Sequence, residues 1–185
     1  VQERAEALDP AATPYTTEVV DRATIERKQI LDIRDATSDM VNVEVPRAPR
    51  RGAGISGTTG REGNTGFEIR GLGGNRVQML VDGIPQPEAD SFMNSHSFGR
   101  DYVDPLMLSG IEVHKGASTV GVPSGGVAGM VQMRTLSPGD LLGADKLFAG
   151  RALLGWRSEN RGWNTGAAVA GKTSGQGEWL LAAHG

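Results

Sequence analysis

The chain has 185 residues, a formal charge of −3, 38% hydrophobic and 22% charged residues, and no cysteine. That length allows one to two domains, and the charge balance offers no basic stripe, which argues against nucleic acid as a partner. The lack of cysteine removes zinc-thiolate sites, iron–sulfur clusters and thiol catalysis.

The 27 glycines are about twice the usual share. They are scattered rather than periodic, so they mark tight turns and close backbone approaches. The opening VQERAEALDP is polar and acidic and is not a signal peptide. No run of 18 apolar residues exists, so no transmembrane helix is expected. Transmembrane strands alternate and escape that test.

Residues 1–15 read as an extended lead-in. TTEVV (16–20) reads as a short strand, and Asp21 stands where a helix N-cap belongs, ahead of ATIERKQI. Within 30–40, Ile30, Ile33, Ala36, Thr37 and Met40 recur at helical spacing. VNVEV (41–45) alternates like a strand and stops at Pro46. Residues 46–66 are rich in glycine, proline and arginine and read as a loop. Within them Gly52, Gly54 and Gly57 spell GxGxxG. A dinucleotide site needs a strand before that motif and a helix after it; PRAPRR and TTGREGN supply neither.

GFEIR (66–70) and RVQMLV (76–81) read as strands around a glycine turn at Gly71, Gly73 and Gly74. Asp82-Gly83 is a turn signal. Residues 84–105, with three prolines, form a long irregular loop of the kind that is usually functional or disordered. IEVHK (111–115) and MVQMRT (130–135) close an α+β domain. His114 reads as a packed strand histidine. From Phe148 the pattern changes. Phe148, Gly150, Ala152, Leu154 and Trp156 form one register, and Arg151 and Arg157 fall on the other. GWNTGAAVAGK and EWLLAAH alternate likewise, with Trp163 and Trp179 on the apolar register. Lipid-facing strands with an interfacial aromatic girdle fit this pattern; an ordinary antiparallel meander with one wet face fits it too.

Three phrases occur in order: NTGFEIRGLGGNRVQMLVDGIP (64–85), GIEVHKGAS (110–118) and PSGGVAGMVQMRT (123–135). Together they resemble the plug domain of TonB-dependent outer-membrane receptors. FEIRGLGGNRVQMLVDGIPQPE is closest to the haem and haemoglobin receptors, and SFGRDYVDP with GGVAGMVQM is most like the haemophore type. The chain departs from the family at Ser118-Thr119-Val120-Gly121, where most members carry Tyr-Gly, which argues against a typical siderophore receptor.

The resemblance implies a plug (16–142) with a small mixed β-sheet and short helices, after a lead-in at 1–15. The first antiparallel strands of a 22-stranded transmembrane β-barrel would follow at 147–185. About three strands have room here, so the rest of the barrel is expected beyond this chain. The location implied is the Gram-negative outer membrane, with lipid around the barrel. The inner-membrane TonB complex would act through a segment upstream of residue 1. The implied activity is gated uptake of haem, free or from a haem-carrier protein. Haem is the transported ligand rather than a prosthetic group, and no enzyme activity is implied. A ferric siderophore is the alternative ligand, and a soluble β-rich interaction domain is the alternative class.

In haem receptors a plug histidine in the 84–105 loop can bind haem iron, and neutral imidazole is a standard axial ligand. His96 is the candidate here and the only metal-ligating residue expected; a solvated loop histidine is the other reading. Phe92, Met93 and Phe98 could touch the porphyrin face. Arg100 could meet a propionate, although Asp101 or Asp104 is its nearer partner. Tyr102 could ligate iron, although an anchor beside Pro105 is its simpler role. The resemblance also gives Arg70 and Lys115 to plug–barrel anchoring, and His184 to the lumen-facing register. No catalytic set is expected.

Overall fold

The computed structural model describes residues 16–30, 33–46, 66–86, 103–117, 126–143, 146–157, 162–173 and 177–184. Strand β1 (Thr16–Asp21) runs into helix α1 (Arg22–Arg27). Asp21 caps that helix as its position suggests, accepting the Thr24 N–H at 2.8 Å. Helix α2 (Ile33–Thr37) is one short stretch, buried through Ile33, Ala36 and Thr37. The strand expected at 41–45 shrinks to β2 (Val43–Glu44). Asn42 takes a positive φ of 59° just before it, and Pro46 has no N–H to continue the ladder. β2 pairs with β3 (Glu68–Ile69).

The main sheet is mixed. β4 (Val77–Val81) turns through Asp82 and Gly83 into β5 (Ile84–Pro85). Both turn residues have positive φ, 50° and 79°, as a type I′ hairpin requires. β5 was not anticipated; a two-residue strand ending in proline has too little alternation to announce itself. A 3-10 turn at Pro105–Met107 leads into β6 (Leu108–Lys115), which is longer than its apolar core suggested because a bulge lies between Leu108 and Gly110. β7 (Gly129–Thr135) pairs antiparallel with β6 and parallel with β4. The strand order is β1-β6-β7-β4-β5.

One face of this sheet carries Ile111, Val113, Val131, Met133, Val77 and Met79, all at 0–1% exposure. Ile25, Ile30, Ile33, Val43, Phe67 and Ile69 pack on it to make the core. Gly129 opens β7 at φ 150°, and a Cβ there would run into the His114 carbonyl oxygen and approach Ile69 Cδ1 at 2.8 Å. Only glycine fits that crossing.

Helix α3 (Pro138–Leu142) follows β7. The Asp140 carboxylate reaches back to the Ser137 N–H and hydroxyl, each at 2.7 Å. That capping box, with Pro138 at the first helical position, was a legible signal that the sequence reading passed over. Three long antiparallel strands complete the fold: β8 (Phe148–Arg157), β9 (Gly162–Lys172) and β10 (Glu178–His184). They form a separate sheet in the order β10-β9-β8.

Candidate functional site

The sheet has two distinct ends. Thr16, Lys115, Gly129 and Val77 stand in one row of register partners. The Asp82-Gly83 turn and the start of β6 mark the opposite end. In the sequence, segment 87–102 joins β5 to the 3-10 turn that precedes β6. His96, Phe92, Met93, Phe98, Arg100 and Tyr102 belong to it and lie outside the described residues.

The roots of the segment are described. Gln86 N–H donates to the Met79 carbonyl at 2.8 Å. Asp82 bridges the hairpin to β7, its Oδ1 accepting from Thr135 N at 2.8 Å and its Oδ2 from the Thr135 hydroxyl at 2.5 Å. Asp104 Oδ1 accepts the Leu106 N–H at 2.8 Å. Asp104 Oδ2 lies 2.8 Å from Nδ1 of His184 on β10. Asp104 is thus engaged by a residue other than Arg100. His184 faces the mixed-sheet domain, on the register the alternation gave it.

Arg70 is exposed with φ 55°, its N–H bonded to the Asn42 carbonyl at 2.8 Å. Lys115 is 5% exposed. Its ammonium meets the Glu18 carboxylate and, at 2.5 Å, the Val41 carbonyl oxygen. Its charge is therefore matched inside the domain.

The second face of the sheet carries a half-buried polar chain. The Thr17 hydroxyl and His114 Nδ1 are 3.0 Å apart, His114 Nε2 is 3.8 Å from Glu112, and Arg134 donates to Glu112 at 2.8 Å. The nearby His114 imidazole, and beyond it the Arg134 charge, hold the Glu112 carboxyl below its ordinary range against the opposing effect of burial. His114 is packed in the strand, as expected.

The β8–β10 sheet turns its apolar register outward. Phe148, Leu154, Trp156, Trp163, Trp179 and Leu181 are 43–69% exposed. Trp156 and Trp163 meet in a tilted pair across β8 and β9 with centroids 5.0 Å apart, and Phe148 meets Trp179 at 6.2 Å at the other end. The inner register packs on the domain. Leu106 seats over Gly166, where a Cβ would come 2.9 Å from its Cδ1. Arg151 Nε lies 3.7 Å from Glu26, which also accepts from Arg22 at 2.9 Å. Glu26 and Asp104 were not foreseen as partners of this sheet, because nothing in their neighbouring sequence points so far along the chain.

Among the described residues no group of three histidines, cysteines or carboxylates is placed to hold a metal ion. Among them, too, no helix is long and apolar enough to cross a membrane, which does not bear on strands.

The family model for the TonB-dependent Receptor Plug Domain matches residues 9–130. Transferrin-binding protein A of Haemophilus influenzae is 31% identical over 161 residues, covering 82% of this chain and 16% of that protein. Heme transporter BhuA of Brucella suis is 32% identical over 119 residues, covering 64% and 17%. The FrpB iron transporter from Neisseria meningitidis superposes with a TM-score of 0.68 at 22% identity, over 92% of this chain and 23% of that one. The Serratia marcescens hemophore receptor HasR, in complex with its hemophore HasA and heme, gives a TM-score of 0.65 at 22% identity, over 93% and 24%. The chain thus spans 16–17% of the length of these curated relatives, and at this identity the solved structures share its fold. The mixed sheet with its short helices and the family match agree: the chain belongs to the TonB-dependent receptor plug domain family, whose members sit in the cell outer membrane with the plug inside a barrel.

Proposed function

We propose that this chain is the plug part, with the first barrel strands, of an active-transport receptor that takes haem at the extracellular face and gates its passage to the periplasm. The carrying observation is the polarity of the five-stranded sheet. The 3-10 turn and the start of β6, which follow the ligand segment 87–102 in the sequence, lie at one end of it, and β1 starts at the other. A ligand and an energised partner acting upstream of residue 1 would engage opposite ends of one rigid sheet.

In this reading residues 1–15 lead in, 16–142 form the plug and 147–185 begin the 22-stranded barrel wall. The outward apolar register supports the wall assignment. Its two aromatic pairs stand roughly 26 Å apart along β8 at about 3.3 Å per residue. With barrel strands tilted by about 35–45°, that spans most of the ~25 Å apolar band of an outer-membrane barrel. Among the described residues, exposed Arg70 is a plug cation that would meet a wall carboxylate. Lys115 would reach the wall only by leaving Glu18.

Haem is supported by the relatives named for it, BhuA and HasR, and by His96 as an axial donor flanked by Phe92, Met93 and Phe98. Arg100 and Tyr102 complete the ligand side, and a haem-carrier protein is a partner of the same kind as HasA is for HasR. The test is a haem titration of the detergent-solubilised full receptor beside His96→Ala, read at the Soret band. Binding that weakens or shifts in the variant supports the assignment; unchanged binding removes His96 from the site.

A second reading is iron without haem, delivered by a carrier protein or a siderophore. The match to Transferrin-binding protein A, which covers more of this chain than the match to BhuA does, favours it. Absence of any Soret change on titration would turn the assignment to that ligand. A receptor that stays soluble without detergent would sink the membrane reading altogether.

A further inference from the structure

The described buried apolar residues do not form one cluster. The larger cluster lies on the apolar face of the five-stranded sheet and includes Val20 of β1, Ile111, Val131 and Phe67. Leu106, Leu136, Leu142, Ala168 and Ala170 are also buried, at 0–8% exposure, but stand apart from it. They come from the 3-10 turn before β6, the residue after β7, helix α3 and strand β9.

These elements meet at the β8–β10 sheet. Leu106 lines a hollow with Leu153 and Ala168, and rests on the bare backbone of Gly166. The Leu136 N–H donates to the Met107 carbonyl at 2.8 Å, which ties the end of β7 to the same turn. Helix α3 lies against β8, β9 and β10, with Leu142 fully buried. Asp104, at the head of the turn, adds its contact with His184 at 2.8 Å. At the Thr16 end, by contrast, the Lys115 ammonium is matched by Glu18 and the Val41 carbonyl, inside the plug. Apolar layers that share no residues can open separately. β1 contributes Val20 to the larger layer and none of the five residues of the smaller one.

We propose that the Pro105–Met107 turn, Leu136 and α3 form a fixed junction that stays on the β8–β10 sheet while the five-stranded sheet is rearranged. The plug then gates as a body hinged at this junction and does not leave the barrel. The inference rests on the transport reading of the full receptor.

Two measurements on the full receptor test it. The first is a tether. A Cβ on Gly166 would stand 3.7 Å from the Leu106 Cβ, inside the ~3.5–4.5 Å span of a disulfide, and this chain has no cysteine of its own. Leu106→Cys combined with Gly166→Cys, oxidised in cells, should take up haem at the same rate as after reduction. Haem binding that persists while uptake stops in the oxidised form, and uptake that returns on reduction, would overturn the proposal. The second is amide hydrogen exchange of the detergent-solubilised wild type in rising urea, which needs no ligand. Leu106, Met107 and Leu136 should open together with β9, about tenfold or more slowly than β1. Opening of these amides together with β1 and β6 would overturn the proposal. Wild-type cells that take up no haem would sink the haem reading instead. In that case, or where the paired variant does not accumulate or form its disulfide, the exchange grouping decides the junction by itself.

Discussion

Lys115 and Glu18 form a diagonal ion pair across β1 and β6: the direct register partner of Lys115 is Thr16, and that of Glu18 is Val113. Both side chains stand on the core face, at the end where the apolar row gives way to Gly129 and Thr16. A buried ammonium is tolerated there because a carboxylate and a backbone carbonyl surround it.

Removing one partner leaves the other without its match. Lys115→Met keeps the stem and should cost about 1–3 kcal/mol of local stability, less than a deeply buried pair because Glu18 retains access to water. Amide hydrogen exchange in the full receptor should show faster exchange confined to β1 and the end of β6. The double variant with Glu18→Gln should recover part of the loss. Unchanged exchange at Val19 and Val113 would show the pair to be idle.

Asp82 does two jobs. It adopts a left-handed φ in the hairpin and ties that hairpin to Thr135 with both oxygens. Asp82→Ala loses both hydrogen bonds and adds strain at a positive φ, for a cost of about 2–3 kcal/mol. Asp82→Asn tolerates that conformation and keeps one acceptor, so about half the loss is expected. The Thr135 amide is the reporter. Equal protection in wild type and alanine variant would refute the tie.

Glu112 gives the fold an acid-sensitive point. Its carboxyl titrates below the ordinary range because His114 and Arg134 favour the charged form. Its stabilisation is therefore fully present above the ordinary glutamate pKa of about 4.3, and it is lost as pH falls through the depressed folded value. Exchange of the β6–β7 amides, corrected for intrinsic rates, should rise below about pH 4 in wild type. In Glu112→Gln that added rise should vanish. A variant with the same acid profile as wild type would place the sensitivity elsewhere.

Gly129→Ala should be among the least tolerated single changes. A methyl there meets the His114 carbonyl and Ile69 at a φ that L side chains rarely adopt. The cost of about 2–4 kcal/mol falls at the first β6–β7 pair, Lys115 with Gly129. The readout is the amount of folded receptor reaching the outer membrane. Accumulation at the wild-type level, with unaltered exchange at Met130, would show that the crossing can relax.

Features carried by neighbouring residues were legible in the sequence. Asp21 announced its cap, Asp82-Gly83 its hairpin, and the alternation through Trp156, Trp163 and Trp179 its three long strands. The order of phrases disclosed the family. What escaped depends on residues brought together only by the fold. The parallel pairing of β4 with β7 has no local signature. The matching of Lys115 by Glu18 needs β1 beside β6. Asp104 and Glu26 acquire their partners from strands more than seventy residues later. The short β2 was overcalled because alternation was read across Asn42, whose backbone breaks it. The proposed ligand residues fall in segment 87–102, outside the described residues, where sequence and family resemblance carry the proposal.

The antiparallel pairing of β1 also has a mechanical consequence. Thr16 lies at the end of the sheet remote from the Asp82-Gly83 turn, and the register from Thr16–Lys115 to Asp21–Gly110 is unbroken. A tension drawn outward at Thr16 along the strand loads all those rungs, and the Glu18–Lys115 pair, at once, as a shear. A tension drawn sideways opens them one at a time, like a zipper. The same strand is therefore stiff in one direction and yielding in another, and the angle of pull, more than its size, decides whether β1 leaves the sheet.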